Sequence, residues 1–267
     1  MRDAYTNIDA SNITIGKDVV IAPTARIRAR SVQIGDNAFI GEGVVIDVGE
    51  FVMGDYSRMQ AGTVCFGVEP LRIGRNCWIG GRSDIDSQGG LDIHDNVGIG
   101  SLSQIWTHMR HGDVTQGCRF NSRRKVVIER DAWFVGSCLV SPVSVGERSM
   151  ALLGSVVTRD MVAGRTYAGV PARDVTEKFG PQFDDISLED KASRLSERIR
   201  HFENLNPELS GLLKVELSFG SAVPADERTY FFVNDRTYTK KRTKAETLFL
   251  SQERTVKFVP IDEPQPF

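Results

Sequence analysis

Residues 73–86 read Ile73-Gly74-Arg75-Asn76-Cys77-Trp78-Ile79-Gly80-Gly81-Arg82-Ser83-Asp84-Ile85-Asp86. An isoleucine followed by a small or turn-forming residue returns every six positions. The rhythm extends upstream through Ile15-Gly16, Ile21-Ala22 and Ile27, and after a one-residue slip through Ile34-Gly35, Ile40-Gly41 and Ile46-Asp47. A less regular patch runs from Met53-Gly54 to Phe66-Gly67. Downstream come Ile93, Ile99-Gly100 and Ile105, then Ile128, Phe134, Val140, Val145-Gly146 and Ala151, ending near Val157. An amphipathic helix needs a period near 3.6 and a lone strand a period of 2. A six-residue period fits neither. It fits short strands joined by tight turns, each hexad forming one side of a coil, which is the signature of a parallel β-helix. One hexad cannot bury its aliphatic side chain alone, so coils stack and the isoleucines form ladders inside. Isolated strands of a sandwich would instead alternate, with irregular spacing. Each slip in register marks a bulge or loop leaving the rod.

The rhythm stops once, over Gln104–Lys125. The insertion reads Gln104-Ile105-Trp106-Thr107-His108-Met109-Arg110-His111-Gly112-Asp113 and ends in Arg123-Arg124-Lys125. A regular rod interrupted by a loop that opens with histidine suggests a scaffold for a reactive side chain. The basic triplet reads as a solvated stretch of that loop or, less simply, as a phosphate contact.

The chain has 267 residues and a formal net charge of −2. Balanced charge, with no basic run interleaved with aromatics, gives no sign of a nucleic-acid partner. No stretch is apolar for long enough to span a bilayer. The polar Met1–Asn7 carries no apolar core of signal-peptide length. Cys65, Cys77, Cys118 and Cys138 are widely spaced and form no C-x-x-C pair. They read as free, mostly buried thiols in a reducing compartment, and the expected location is the cytoplasm.

Met161–Arg173 closes the rod in a turn-rich, extended run, so the expected β-helix domain is 1–173, with the inserted loop at about 106–125. Residues 174–267 form the second part. Asp174–Phe183 reads as a linker or a first helical turn. Ser187-Leu188-Glu189-Asp190 reads as an N-cap with acidic residues in the first turn, opening an amphipathic helix over roughly 187–204. Leu212–Phe219, Arg228–Val233 and Thr255–Pro260 are strand candidates, and Thr243–Ser251 is a short helix. The tail Ile261–Phe267 reads as loose. Tyr230, Phe231, Phe232 and Tyr238 read as core. The expected fold class is mainly β, a parallel β-helix with a small C-terminal α+β module.

From Ile99 to Arg173 the chain resembles the hexapeptide-repeat acetyltransferases, particularly the maltose and galactoside O-acetyltransferases and their relatives in surface-polysaccharide synthesis. The match rests on Thr107-His108 opening a loop, on Val127-Ile128-Glu129-Arg130-Asp131-Ala132-Trp133, on Val145-Gly146-Glu147-Arg148-Ser149 with Gly154-Ser155-Val156-Val157-Thr158-Arg159-Asp160, and on Ala168-Gly169-Val170-Pro171-Ala172-Arg173. Glu129 stands where that family carries glycine, and Phe134-Val135-Gly136 replaces its I-G step. The resemblance implies a homotrimer of left-handed rods with acetyl-CoA in the groove between neighbours, so that the active site is shared between subunits. It implies His108 as general base, Trp133 beside the pantetheine arm, Thr158 and Arg159 near the nucleotide end of coenzyme A, and Arg173 near its phosphates. Arginine suits that place because it binds phosphate bidentately. A metal is not expected.

The chemistry agrees with these assignments. Acetyl transfer from a thioester needs a base to take the acceptor's proton, and histidine titrates near neutrality. A catalytic histidine needs an orienting partner on its other ring nitrogen. Asp86 lies about one coil earlier, with Asp84 as its rival; His111 is a second, weaker histidine. The oxyanion donor is a backbone N–H. The resemblance implies as acceptor a hydroxyl or amino group of a free or nucleotide-linked sugar in cell-surface polysaccharide synthesis, reached by direct transfer in a ternary complex. Two other readings share the repeat: a non-catalytic β-helix scaffold, and a γ-type carbonic anhydrase, which needs three converging histidines where this chain offers His94, His108, His111 and His201.

Overall fold

A computed structural model describes residues 7–220, 226–261, 263 and 267. They divide into two compact units, one running to Phe183 and one from Asp184 to Gln265. The first is a parallel β-helix and the second a small α+β unit, the fold class that the repeat predicts.

Three sheets form the sides of the rod. The first holds eight strands, from Ile8–Asp9 to Val156–Val157; the second holds six, from Asn12–Ile15 to Val126–Ile128; the third holds nine, from Val20–Ile21 to Ala172–Asp174. The chain visits the faces in rotation, and every pairing between coils is parallel. One inward residue per strand builds each ladder. On the first face the ladder is Ile27, Ile46, Cys65, Ile85, Ile105, Val140 and Val157. On the third face it is Ile21, Ile40, Met59, Ile79, Ile99, Phe134 and Ala151. Ile34, Met53, Ile73, Ile93 and Ile128 run down the second. Nearly all are fully buried, and each buried aliphatic side chain contributes about 1.5–3 kcal/mol. The patch from Met53 to Phe66, irregular as sequence, is regular as structure. Met53, Met59 and Cys65 stand in the isoleucine positions and are equally buried.

The corners explain the residues that follow the isoleucines. At two corners of nearly every coil a residue three places after the inward one adopts a left-handed conformation: Asn37, Asn76 and Asn96 between the second and third faces, Gly43, Arg82 and Leu102 between the third and first. The glycine directly after the isoleucine serves a different need. A Cβ on Gly35 would lie 2.3 Å from Asp55 Oδ1, and one on Gly74 would lie 2.6 Å from Asp95 Oδ1. These stacked aspartates accept main-chain N–H groups from the preceding coil, Asp36 N to Asp55 at 2.7 Å and Arg75 N to Asp95 at 2.7 Å. The third corner, from first face to second, absorbs every lengthened step: Ile27 to Ile34, Ile46 to Met53, Cys65 to Ile73, Ile85 to Ile93, and the long one from Ile105 to Ile128. Beyond Tyr167 the rod ends in an antiparallel pair, Thr166–Gly169 with Ala172–Asp174, and a short helix, α1 (Thr176–Phe179).

In the second unit, α2 (Leu188–Leu205) begins at Ser187, whose side chain accepts from Asp190 N at 3.0 Å, and buries Leu195, Ile199 and Phe202. Strands Leu213–Glu216, Thr229–Phe232, Thr237–Tyr238 and Val259–Pro260 make one sheet, packed with α3 (Lys244–Gln252). Thr237–Tyr238 has no counterpart in the sequence expectation. Tyr230, Phe231, Phe232 and Tyr238 are all buried; Phe231 meets the rings of Phe249, Phe258 and Tyr238 at centroid distances of 5.2–5.7 Å. The expected loose tail falls mostly outside the described residues. Among the described residues, no helix is long and apolar enough to cross a membrane.

Candidate active site

The long corner opens on a partly buried histidine, which stands over a buried aspartate of the preceding coil. Register on the first face pairs Ile85 with Ile105, so Asp86 and the run Trp106-Thr107-His108 leave that face one above the other. Asp86 is completely buried. Its Oδ2 lies 2.6 Å from His108 Nδ1 and accepts from Thr107 N at 2.7 Å, Thr107 Oγ1 at 3.0 Å and His108 N at 3.0 Å. Its Oδ1 accepts from Gln88 N at 2.8 Å. Thr107, also fully buried, accepts from Gly89 N at 2.9 Å. A carboxylate only accepts, so Nδ1 donates to Asp86, and in the neutral imidazole the lone pair then stands on Nε2. Asp86, not Asp84, touches the histidine; Asp84 Oδ2 accepts from Gln104 Nε2 at 3.3 Å. The Trp106 indole stands 6.1 Å from the imidazole and packs edge-on against Phe66 at 5.9 Å.

The inserted residues form an antiparallel hairpin, His108–Arg110 against Asn121–Arg123, with His108 opposite Arg123 and Arg110 opposite Asn121. At its tip, Asp113 caps a short turn, Val114–Gln116. The Thr115 hydroxyl and N–H both bond to the Asp113 carboxyl and hold it below the usual carboxylate range. The basic triplet at the base, although partly exposed, is engaged. Arg123 pairs with Glu69 at 2.9 Å, and Arg124 donates to Pro142 O at 2.8 Å and pairs with Asp160 at 3.3 Å. Lys125 pairs with Asp92. These contacts clamp the hairpin to the rod and correct the solvated-loop expectation.

The other predicted site residues separate into two groups. Thr158 and Arg159 follow Val157, which is in register with Val140 and Ile105. Both are exposed on the corner that carries His108, two coils further along. Trp133 lies on the third face, 41% exposed, in register with Gly98 and Met150. Its indole covers Gly98, where a Cβ would come within 2.9 Å of Cδ1. Arg173 is exposed in the terminal antiparallel pair of that same sheet, opposite Ala168. The third face lies across the rod from the His108 corner. One chain therefore joins Asp86 to His108 but does not bring Trp133 or Arg173 to them.

No protein-family model matches the chain. It is 27% identical over 207 residues to the bifunctional protein GlmU of Synechococcus sp. strain RCC307, covering 68% of this chain and 46% of the relative. It is 29% identical over 182 residues to GlmU of Listeria monocytogenes serotype 4a strain HCC23, covering 59% and 37%. The chain thus spans less than half the length of these curated relatives. The solved structure of the polysialic acid O-acetyltransferase OatWY aligns at a TM-score of 0.53 with 19% identity, over 71% of this chain and 98% of that one. The chain has the hexapeptide-repeat β-helix fold.

Within that hexapeptide-repeat rod, the residues that sequence reasoning passed over are Thr107, Gln88 and Gly89, which complete the polar shell of Asp86. The signal for them was the turn-forming run Ser87-Gln88-Gly89-Gly90, one coil before the histidine. His94 and His111 are not in that shell. Among the described residues, no three histidine, cysteine, aspartate or glutamate side chains converge as a metal site. Burial pushes the Cys65 thiol up and out of the reactive range, and the described cysteines are all free.

Proposed function

We propose that this chain is an acetyl-CoA-dependent acetyltransferase acting on a hydroxyl or amino group of a sugar, free or nucleotide-linked, in cell-surface polysaccharide synthesis in the cytoplasm. The observation that carries the reading is the Asp86–His108 pair at the mouth of the only long corner among the described coils of a rod whose motifs resemble sugar acetyltransferases. The fold shared with OatWY is consistent with it.

His108 Nε2 takes the proton from the acceptor O–H or N–H as the acceptor attacks the thioester carbonyl. A tetrahedral oxyanion forms, the carbon–sulfur bond breaks, and the imidazolium returns the proton to the departing thiolate. Asp86 fixes the tautomer and steadies the imidazolium. Because Asp86 is itself held by Thr107, His108 and Gln88 N–H groups, the base is oriented before substrate arrives. Both substrates are present together, so transfer is direct.

Trp133 beside the pantetheine arm, Thr158 and Arg159 at the nucleotide end, and Arg173 at the phosphates make the coenzyme site. The two groups lie on different sides of one rod, so the site is assembled between copies in a homotrimer, His108 from one chain facing Trp133 of the next. The test is thiol release from acetyl-CoA over a panel of sugars and sugar nucleotides, with calorimetric titration of coenzyme A. Acceptor-dependent release supports the reading; no release and no coenzyme binding replaces it with the scaffold.

A further inference from the structure

The hairpin that begins with His108 is strongly cationic. It carries Arg110, Arg119, Arg123, Arg124 and Lys125 against one carboxylate, Asp113, which the Thr115 cap already occupies. Arg123, Arg124 and Lys125 are paired with Glu69, Asp160 and Asp92. Among the described residues, Arg110 and Arg119 have no carboxylate within ion-pair distance. Arg110 is exposed.

Its place on the hairpin gives that charge a direction. Successive side chains of a strand alternate between faces, and residues directly opposite in an antiparallel pair share a face. His108 and Arg110 therefore stand on one side, with their partners Arg123 and Asn121, while Met109 and Ser122 occupy the other. The two Cα atoms are about 7 Å apart at strand spacing. That face looks back toward the rod, since Arg123 reaches Glu69 and His108 reaches Asp86. Arg110 is therefore an uncompensated cation on the hairpin face that carries His108.

We infer that the acceptor carries an anionic group, a carboxylate or phosphate on the acetylated sugar or its neighbour, and that Arg110 binds it. This rests on the assignment of His108 as base. A planar guanidinium grips either oxyanion through paired N–H donors. Asn121, opposite Arg110, adds an amide to the same patch.

The test compares methyl glucosides and galactosides with the matching uronates and 6-phosphates as acceptors, for the wild type, Arg110→Gln and Arg110→Lys. The wild type is expected to show a lower KM for an anionic member than for its neutral parent. Arg110→Gln raises that KM about tenfold, the order of one charge-assisted hydrogen bond, and leaves kcat, the neutral parent's KM and the acetyl-CoA KM unchanged; Arg110→Lys falls between. Whether the uronate or the phosphate responds tells which anion is read. Preference for neutral sugars, or equal losses for both classes, overturns the inference while keeping the acetyltransferase. If no sugar is acetylated, the acetyltransferase reading fails. Saturation-transfer NMR of the same sugars then decides the inference alone: anionic sugars that bind wild type but not Arg110→Gln support it, and no anionic binding overturns it.

Discussion

Asp86 Oδ2 lies 2.6 Å from His108 Nδ1, although twenty-two positions of chain separate them. The stacking of one coil on the next makes the contact, with Ile85 directly beneath Ile105. The ladder that stabilises the rod therefore also fixes the proposed base. Asp86→Asn keeps the shape but offers an amide to a site built from donors, and it no longer enforces the Nδ1–H tautomer. We expect kcat to fall by about 10²- to 10⁴-fold, up to the loss seen when the aspartate orienting a general-base histidine becomes asparagine, with the acetyl-CoA KM unchanged. Steady-state kinetics in both substrates checks this.

The proposed division of the site between copies predicts complementation. His108→Ala and Arg173→Ala damage different sides of the rod. Each variant alone should be impaired, and co-refolding the two should restore part of the activity, because some interfaces then combine an intact His108 with an intact Arg173. Activity that never exceeds the average of the two separate variants would place all the groups in one chain.

Glycine placement gives a stability test. A Cβ on Gly35 collides with Asp55 Oδ1 at 2.3 Å and Asp55 N at 2.6 Å, whereas Gly43 has nothing within 4 Å of a new Cβ and only a positive φ of 64°. Gly35→Ala should cost about 1–3 kcal/mol, as overpacking does, and also disturb the aspartate stack. Gly43→Ala should cost about 1–2 kcal/mol from its left-handed backbone. Chemical denaturation of both variants, with hydrogen exchange across residues 34–37, separates steric from backbone cost.

Glu246 of the second unit is buried, and burial raises its carboxyl above the usual glutamate range, although Thr229 Oγ1, Lys241 N and Arg242 N all donate to Oε2. The native state therefore holds this proton more tightly than the unfolded state. Stability from this group is greatest below the unfolded value of about 4.3 and falls as pH rises to the raised native value, then levels off. Amide exchange over Lys244–Gln252 should quicken across that interval, and Glu246→Gln should flatten the dependence.

How much of this was legible depended on what the sequence repeats. The isoleucine period gave the coils because burial imposes it on every turn, and Ser187 marked its helix because a cap is a local device. The patch containing Met59 and Cys65 looked irregular only because methionine and cysteine fill an isoleucine's place without its pattern. Asp86 was reached by counting one coil back from His108. Thr107 was quoted as a neighbour, but its hydroxyl bridges Asp86 and Gly89 across coils, which no linear spacing displays. The clamp from Arg123, Arg124 and Lys125 was equally hidden, since Glu69, Asp92 and Asp160 approach from separate coils.

The central claim is that His108 removes the acceptor's proton during acetyl transfer. The most direct measurement is single-turnover acetyl transfer by wild type and His108→Ala at saturating acetyl-CoA, across pH. The account predicts a loss of about 10²- to 10⁴-fold in the variant, with coenzyme binding intact and the wild type's pH dependence abolished. A variant that transfers acetyl at the wild-type rate with the same pH profile would contradict it.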